Sequence, residues 1–131
     1  MVEISAVKLF AGLPQKELEV ISRQLKEVSH PAGDVIMAAG RPGVGFFVIL
    51  EGEVEVAVMR GHTHKLGPGD HFGEMALLDE QGRSANVTAV SDTRLGAITE
   101  WEFKPFLREN PEVAYRLLQS LSRRLREAEA S

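Results

Sequence analysis

The sequence predicts a mainly β domain, a sandwich or barrel of short strands with helices at both ends. Between residues 26 and 99, glycines separate a series of short apolar or alternating runs. This spacing is typical of antiparallel sheets rather than of alternating strands and helices. Helical periodicity appears before this region and again after it. The three textures divide residues 1–131 into a helical segment at 1–25, a β region at 26–99 and C-terminal helices at 100–131.

Length and composition narrow the class of protein. The 131 residues suffice for one domain with one hydrophobic core, and 44% of them are hydrophobic. A net charge of -4 argues against nucleic-acid binding by bulk electrostatics. The chain has no cysteine, which excludes disulfides and thiolate metal sites. It shows no signal-peptide pattern and no apolar run near the roughly 20 residues of a membrane span, so we expect a cytoplasmic protein without membrane contact.

The first helix is predicted over residues 14–25. Pro14 suits the first turn of a helix, and Leu18, Ile21 and Leu25 recur at helical spacing. This single apolar face favours a helix that covers the domain's own core over one that docks a partner.

The β region contains runs of strand-like sequence. Val54, Val56 and Val58 alternate with more polar neighbours, as in a strand with one buried face. The preceding 51–53, Glu-Gly-Glu, indicates a tight turn. The predicted strands are 28–30, 35–38, 46–50, 54–59, 63–66, 85–90 and 94–98.

Two helices are predicted at the end of the chain. The first covers 100–109 and ends at Asn110, and Pro111 opens the second. In the second helix, apolar residues step by four and three, which predicts either a helix laid across the sheets or a short homodimer seam. This apolar stripe comprises Ala114, Leu118, Leu121, Leu125 and Ala128.

Arginines cluster near the end of this second helix, at Arg123, Arg124 and Arg126. Such a cluster indicates a solvated helix face. One of the three is a candidate to reach the base of a ligand, but the sequence does not distinguish among them.

Residues 72–87 contain the strongest functional pattern, one suited to a sugar phosphate. Gly73 would allow a ligand to approach the backbone closely, and the short turn at 74–78 would present free N–H groups to an anion. Arg83 offers a fork of donors that matches phosphate oxygens, and Ser84 adds a neutral donor. Glu74, an acceptor when ionised, suits ribose hydroxyls.

These residues, with 72–78 reading FGEMALL and 83–85 reading RSA, resemble the phosphate-binding cassette of cyclic nucleotide-binding domains. That family includes bacterial catabolite activator proteins, regulatory subunits of cyclic-AMP-dependent kinase and cyclic-nucleotide-gated channels. The resemblance extends over about 9–125 and implies an eight-stranded β-roll (a jelly roll), in which the cassette interrupts two strands. It implies that Glu74 binds the ribose 2′-hydroxyl. The phosphate would be bound by Arg83, Ser84 and the main chain of Met75 and Ala76, and Gly73 would allow the backbone to approach the ligand closely.

The resemblance implies a non-enzymatic sensor for a cyclic nucleotide, cyclic AMP (cAMP) before cyclic GMP (cGMP). Its C-terminal helices would move on binding and signal to an unidentified protein partner. Because no helix-turn-helix follows the long helix, we expect no direct DNA binding by this chain. The chain is expected to be a stand-alone sensor, with a domain cut from a longer regulator as the alternative.

Two other functions stay open at this point. The cassette could be vestigial, with Glu74 and Arg83 forming a structural ion pair in a domain that binds proteins. Alternatively, His62, His64 and His71 lie near Glu74 in sequence and could form a cupin-like metal site. The cupin pattern requires a glutamate soon after the histidine pair, and here no carboxylate follows until residue 70.

Overall fold

The computed structural model describes residues 4–38, 45–58, 63–74 and 85–130. Its helices are a 3₁₀-helix at Lys8–Phe10, α1 (Gln15–Gln24), α2 (Glu100–Glu109) and α3 (Pro111–Ala130). Its strands are β1 (Lys26–His30), β2 (Val35–Met37), β3 (Gly45–Glu51), β4 (Val54–Val58), β5 (Thr63–Leu66), β6 (His71–Phe72), β7 (Ala85–Ala89) and β8 (Thr93–Thr99).

The eight strands form two antiparallel sheets of four, which we call the roll. Their orders are β1-β8-β3-β6 and β2-β7-β4-β5, so the predicted mainly β fold with flanking helices is confirmed. Strand β6 was not predicted, because two residues are too few to show alternation. It is nevertheless anchored, since its backbone pairs with β3 at Phe47 and Val48.

Strand β3 is buried on both faces. Phe46 and Val48 face a core formed with the helices, whereas Phe47 and Ile49 face the core between the sheets. Successive side chains of a strand point to opposite faces, so a continuous apolar run predicts this double burial. The core between the sheets contains Met37, Phe47, Ile49, Val54, Val56, Phe72, Val87 and Leu95. The first sheet therefore lies between the second sheet and the helices.

The predicted tight turn joins β3 to β4 at Gly52. Its φ of +91° lies in the left-handed region, and an added Cβ would stand 2.4 Å from the carbonyl oxygen of Asp92. Any larger residue would be strained by its backbone and would collide with the turn before β8. Glycine at this position thus permits both the backbone conformation of the hairpin and the close approach of the next turn.

Helix α2 begins and ends at the predicted residues. Thr99 caps it in a reciprocal capping box, in which its Oγ1 accepts from the backbone N–H of Glu102 and the Glu102 side chain accepts from the Thr99 N–H. Asn110 lies at the junction with α3, where its side chain donates to the carbonyl oxygen of Phe106 and to the side chain of Gln24. The junction is therefore tied to α1.

Helix α3 packs through a different face from the predicted stripe. Val113 and Leu117 are 1% and 2% exposed and belong to the core beneath the helices. Leu118 and Leu125, from the predicted stripe, are 62% and 61% exposed. The helix does lie against the body of the domain, but Leu118 and Leu125 do not make that contact, and the alternative role of the stripe as a dimer seam stays a prediction. The core-facing positions precede the stripe by one residue.

The N-terminal segment, residues 4–11, lies between the roll and α3. The backbone N–H of Lys8 donates to the carbonyl oxygen of Gly69 at 3.0 Å, and its ammonium pairs with Asp70 at 2.8 Å. From the other side, Arg116 of α3 donates to the carbonyl oxygens of Leu9, at 3.1 Å, and Ala11. Among the described residues, no helix is both long and apolar enough to cross a membrane.

Candidate functional site

Glu74 is held at the end of β6 by the packing of its neighbours. The Phe72 ring stacks on Phe47 with centroids 5.1 Å apart, and this contact fixes β6 against β3. Gly73 follows with a φ of +100°, a backbone conformation that other residues adopt only with strain. The chain therefore turns sharply after β6 and directs Glu74 away from the core between the sheets.

The Glu74 side chain is almost fully buried, at 1% exposure, yet two groups contact its carboxylate. Oε1 accepts a hydrogen bond from the guanidinium of Arg124 at 3.0 Å. Oε2 lies 3.3 Å from Nδ1 of His71. Since His71 belongs to β6 and Arg124 to α3, the carboxylate connects the roll to the last helix.

Glu74 stays ionised in this environment. Burial alone would raise the pKa of its carboxyl group, but the His71 side chain and the Arg124 guanidinium together hold the pKa below its ordinary value. An ionised carboxylate only accepts hydrogen bonds, and its two oxygens have room for more than two donors. Glu74 can therefore accept a hydrogen bond from a ligand hydroxyl while keeping its protein partners.

A cavity of about 710 Å³ lies between α3, the N-terminal segment and the β5–β6 region. This volume is within the usual range for small-molecule sites, about 300 to 1,000 Å³. Both partners of Glu74, His71 and Arg124, line it. The other charged lining residues are the cations Lys8, Arg116 and Arg123 and the carboxylates Asp70 and Glu127. Part of this charge is neutralised within the site, because Lys8 pairs with Asp70 and Arg124 pairs with Glu74.

The structure brings some predicted site residues together and leaves others undescribed. Gly73 and Glu74 directly follow β6 and are among the described residues. The remaining predicted ligand contacts, Met75, Ala76, Arg83 and Ser84, lie outside the described residues.

Sequence reasoning did not select Arg124 from its cluster and considered His71 only as a metal ligand. Arg124 does not simply belong to a solvated face, because it reaches the buried Glu74. The available signal was helical phase, since residues 113, 117, 120 and 124 fall on one face of α3. No comparable signal pointed to the contact between His71 and Glu74.

The histidine metal site receives no support from the part of the chain that is described. There, no group of three or more histidine, cysteine or acidic side chains could hold a metal ion. His64 is exposed on β5, whereas His71 is buried on β6. His62 lies outside the described residues.

Known proteins resemble this chain along most of its length. The cyclic AMP receptor protein of Thermus thermophilus is 37% identical over 128 residues, which cover 92% of this chain and 58% of the relative. A cyclic nucleotide-gated potassium channel of Mesorhizobium japonicum is 39% identical over 111 residues, 85% of this chain and 31% of the channel. The crystal structure of the Thermus thermophilus catabolite activator protein has a TM-score of 0.84 and 36% identity, covering 94% of this chain and 60% of that one.

The chain thus spans 58% or less of the length of these two curated relatives. The family model described as the cyclic nucleotide-binding domain matches residues 27–110. That span contains nearly all of the roll, the whole cassette at 72–87, and α2. The chain belongs to the cyclic nucleotide-binding domain family.

Proposed function

We propose that this chain is a sensor domain that binds cAMP in preference to cGMP and signals through α3. The observation that carries the proposal is the contact of Glu74 with Arg124 at 3.0 Å. It joins the carboxylate that the cassette assigns to ribose with the helix that would report binding. The names of the relatives, a cyclic AMP receptor and a cyclic nucleotide-gated channel, support this ligand class.

Recognition would divide between ribose and phosphate. The ribose 2′-hydroxyl donates to Glu74, which its two partners keep ionised in spite of its burial. The cassette assigns the phosphate to Arg83, to Ser84 and to the backbone N–H groups of Met75 and Ala76. A guanidinium and several N–H donors match the geometry and charge of a phosphate. The base would lie toward α3.

Signalling follows from the position of α3. A ligand bound between the roll and α3 favours the arrangement in which both contact it, and so it shifts the population of helix positions. Arg124 gives α3 a direct connection to the ribose-binding carboxylate. The coupling is reciprocal, so a change that loosens α3 also weakens nucleotide binding.

We also propose that the domain binds its ligand without chemical conversion. Its sequence contains no nucleophile–base pattern of the kind that hydrolases require. The partners would be a second copy of the chain, through the exposed Leu118 and Leu125 of α3, and an unidentified effector protein. This chain itself would not bind DNA.

The test is a calorimetric titration with cAMP and then cGMP, on protein freed of any co-purified nucleotide. We expect a Kd in the micromolar range or tighter for cAMP, about -8 kcal/mol, and weaker binding of cGMP. The Arg83→Ala variant should lose a few kcal/mol of binding free energy. Glu74→Gln should lose less, because a carbonyl acceptor is kept.

A matched control is Arg94→Ala. Arg94 bridges Glu27 and Glu51 on the roll surface and should leave affinity unchanged. Absence of heat with either nucleotide, on a folded protein, would show that the cassette is vestigial and would favour a protein-interaction module.

A further inference from the structure

His71 has an environment that packing alone does not explain. Its side chain is buried, with the ring 5.7 Å from the ring of Phe46. A phenylalanine would fill such a place between apolar neighbours. Yet His71 also lines the cavity beside α3, and its Nδ1 points to a carboxylate rather than to solvent.

Two buried polar atoms face each other in this place. Nδ1 of His71 and Oε2 of Glu74 are 3.3 Å apart. Neither atom has another hydrogen-bond partner among the described residues. Leaving both unpaired in a buried site is costly, so each atom is the available partner of the other. At 3.3 Å the two atoms are within hydrogen-bonding distance, and an Nδ1–H donor directed at the carboxylate oxygen would satisfy both.

The carboxylate is thereby held from two sides. Arg124 binds Oε1 from α3, and His71 faces Oε2 from β6. A carboxylate with both oxygens engaged cannot rotate freely about its last bond. Its remaining lone pairs are then held in one fixed direction. Such preorganisation improves binding because the ligand does not have to order the group itself.

We propose that His71 is a positioning residue, one that fixes the Glu74 carboxylate so that the site selects a ligand with a free ribose 2′-hydroxyl. This inference rests on the proposed function, because it concerns the same ligand. It adds a specificity role for a side chain outside the predicted contacts. The role depends on the Nδ1 donor and is separate from the packing of the ring against Phe46.

Two substitutions separate the donor from the ring. His71→Phe keeps an aromatic ring against Phe46 and removes the donor. His71→Asn removes the ring but places an amide N–H near the position of Nδ1. A merely structural histidine would be replaced better by phenylalanine, whereas a positioning histidine would be replaced better by asparagine.

The readout is discrimination between cAMP and its 2′-deoxy analogue. It is measured by calorimetry as the Kd of the analogue divided by the Kd of cAMP. The analogue lacks the hydroxyl that would donate a hydrogen bond to Glu74. Its affinity is therefore insensitive to the orientation of the carboxylate. We expect His71→Phe to reduce this ratio about tenfold, the scale of one charge-assisted hydrogen bond. His71→Asn should keep the ratio within about threefold of wild type, the scale of a partly preserved hydrogen bond.

A second measurement needs no nucleotide. A ¹³C NMR titration of the Glu74 carboxyl group should show a higher pKa in His71→Phe than in wild type, and a smaller change in His71→Asn. This comparison tests the contact itself. The pKa change in His71→Phe remains a valid test even if His71→Asn lowers the melting temperature.

The outcomes distinguish the two proposals. If wild type binds neither nucleotide, the proposed function fails, and the specificity role fails with it. If wild type binds cAMP but His71→Phe weakens both ligands equally, or neither, only the positioning role is overturned. An unchanged pKa of Glu74 in His71→Phe would also overturn it.

Discussion

The two halves of α3 are held to the domain by different forces. In the first half, Val113 and Leu117 are buried in the core beneath the helices. In the second half, all residues from 122 to 127 are exposed, and the Arg124–Glu74 pair links this half to the roll. An ion pair weakens as salt screens it or as one partner loses its charge, whereas apolar packing does not depend on charge. The difference makes the second half the part that the proposed signalling would reposition.

The largest effect should come from the packed half. Leu117→Ala removes a side chain that is 2% exposed and should lower the free energy of unfolding by about 2 to 4 kcal/mol. Leu118→Ala, at a position 62% exposed, is the matched control and should change it by less than about 0.5 kcal/mol. Urea denaturation measures both. Similar losses in the two variants would contradict the assignment of the inward face.

The outward face of α3 should govern self-association. The double variant Leu118→Glu and Leu125→Glu places charges on the exposed apolar residues of the proposed dimer seam. We expect self-association to weaken at least tenfold, about 1.4 kcal/mol, in sedimentation equilibrium. The unfolding free energy of the monomer should hardly change. A wild-type chain that is monomeric at every concentration would refute the seam.

A smaller effect is expected at the ion pair of the second half. Arg124→Gln leaves the buried Glu74 with one charged partner fewer. Because the Arg124 side chain is 44% exposed, we expect a loss of about 1 kcal/mol, nearer to surface pairs than to buried ones. Hydrogen exchange of amides 122–130 should also accelerate. The exposed neighbour Arg123→Gln is the control, and equal acceleration in both variants would argue against the pair as an anchor.

The smallest effect is a change in stability with pH. The pKa of Glu74 in the folded protein lies below its ordinary value of 4.5. The stability it contributes is therefore complete above pH 4.5 and is lost as the pH falls through the folded-state pKa. The difference in unfolding free energy between wild type and Glu74→Gln should shrink over that range, by well under about 1.4 kcal/mol per pH unit, the limit for one proton.

The control for this pH series is Glu17→Gln, at an exposed position on α1. Asp70 titrates in the same acidic region. Burial raises the pKa of its carboxyl group. The Lys8 ammonium and the Gly67 N–H lower it by more, so the pKa lies below its ordinary value. Since Asp70 is present in every variant, the comparison between variants isolates Glu74. An identical pH slope in wild type and Glu74→Gln would contradict the shifted pKa.

Local sequence patterns were sufficient for most of the fold. The helix at 100–109 and the strand at 63–66 were predicted with the bounds that the structure has. Capping residues, prolines and alternation act within a few residues, so they can be read without knowing the tertiary contacts. Strand β6 escaped because pairing with β3, and not its own sequence, makes its two residues a strand.

The site was harder to predict because its parts meet across long sequence separations. Glu74 was identifiable from the cassette, but its partner Arg124 is 50 residues away. Choosing Arg124 required the phase of α3, and the more apolar stripe of Leu118 and Leu125 suggested the wrong phase. Leu118 and Leu125 are exposed, so that stripe is not the face that packs on the core of this chain.

The N-terminal segment gives the molecule a closed ring of attachments. Its Lys8 N–H bonds to Gly69 of the roll, its Leu9 and Ala11 carbonyls bond to Arg116 of α3, and Arg124 of α3 returns to the roll at Glu74. In a ring, breaking one link leaves the three bodies joined by the other two. Complete release of α3 therefore requires several links to open together, which makes it a cooperative event. The Lys8–Gly69 bond is not one of those links, so it can hold the N-terminal segment on the roll while α3 is released.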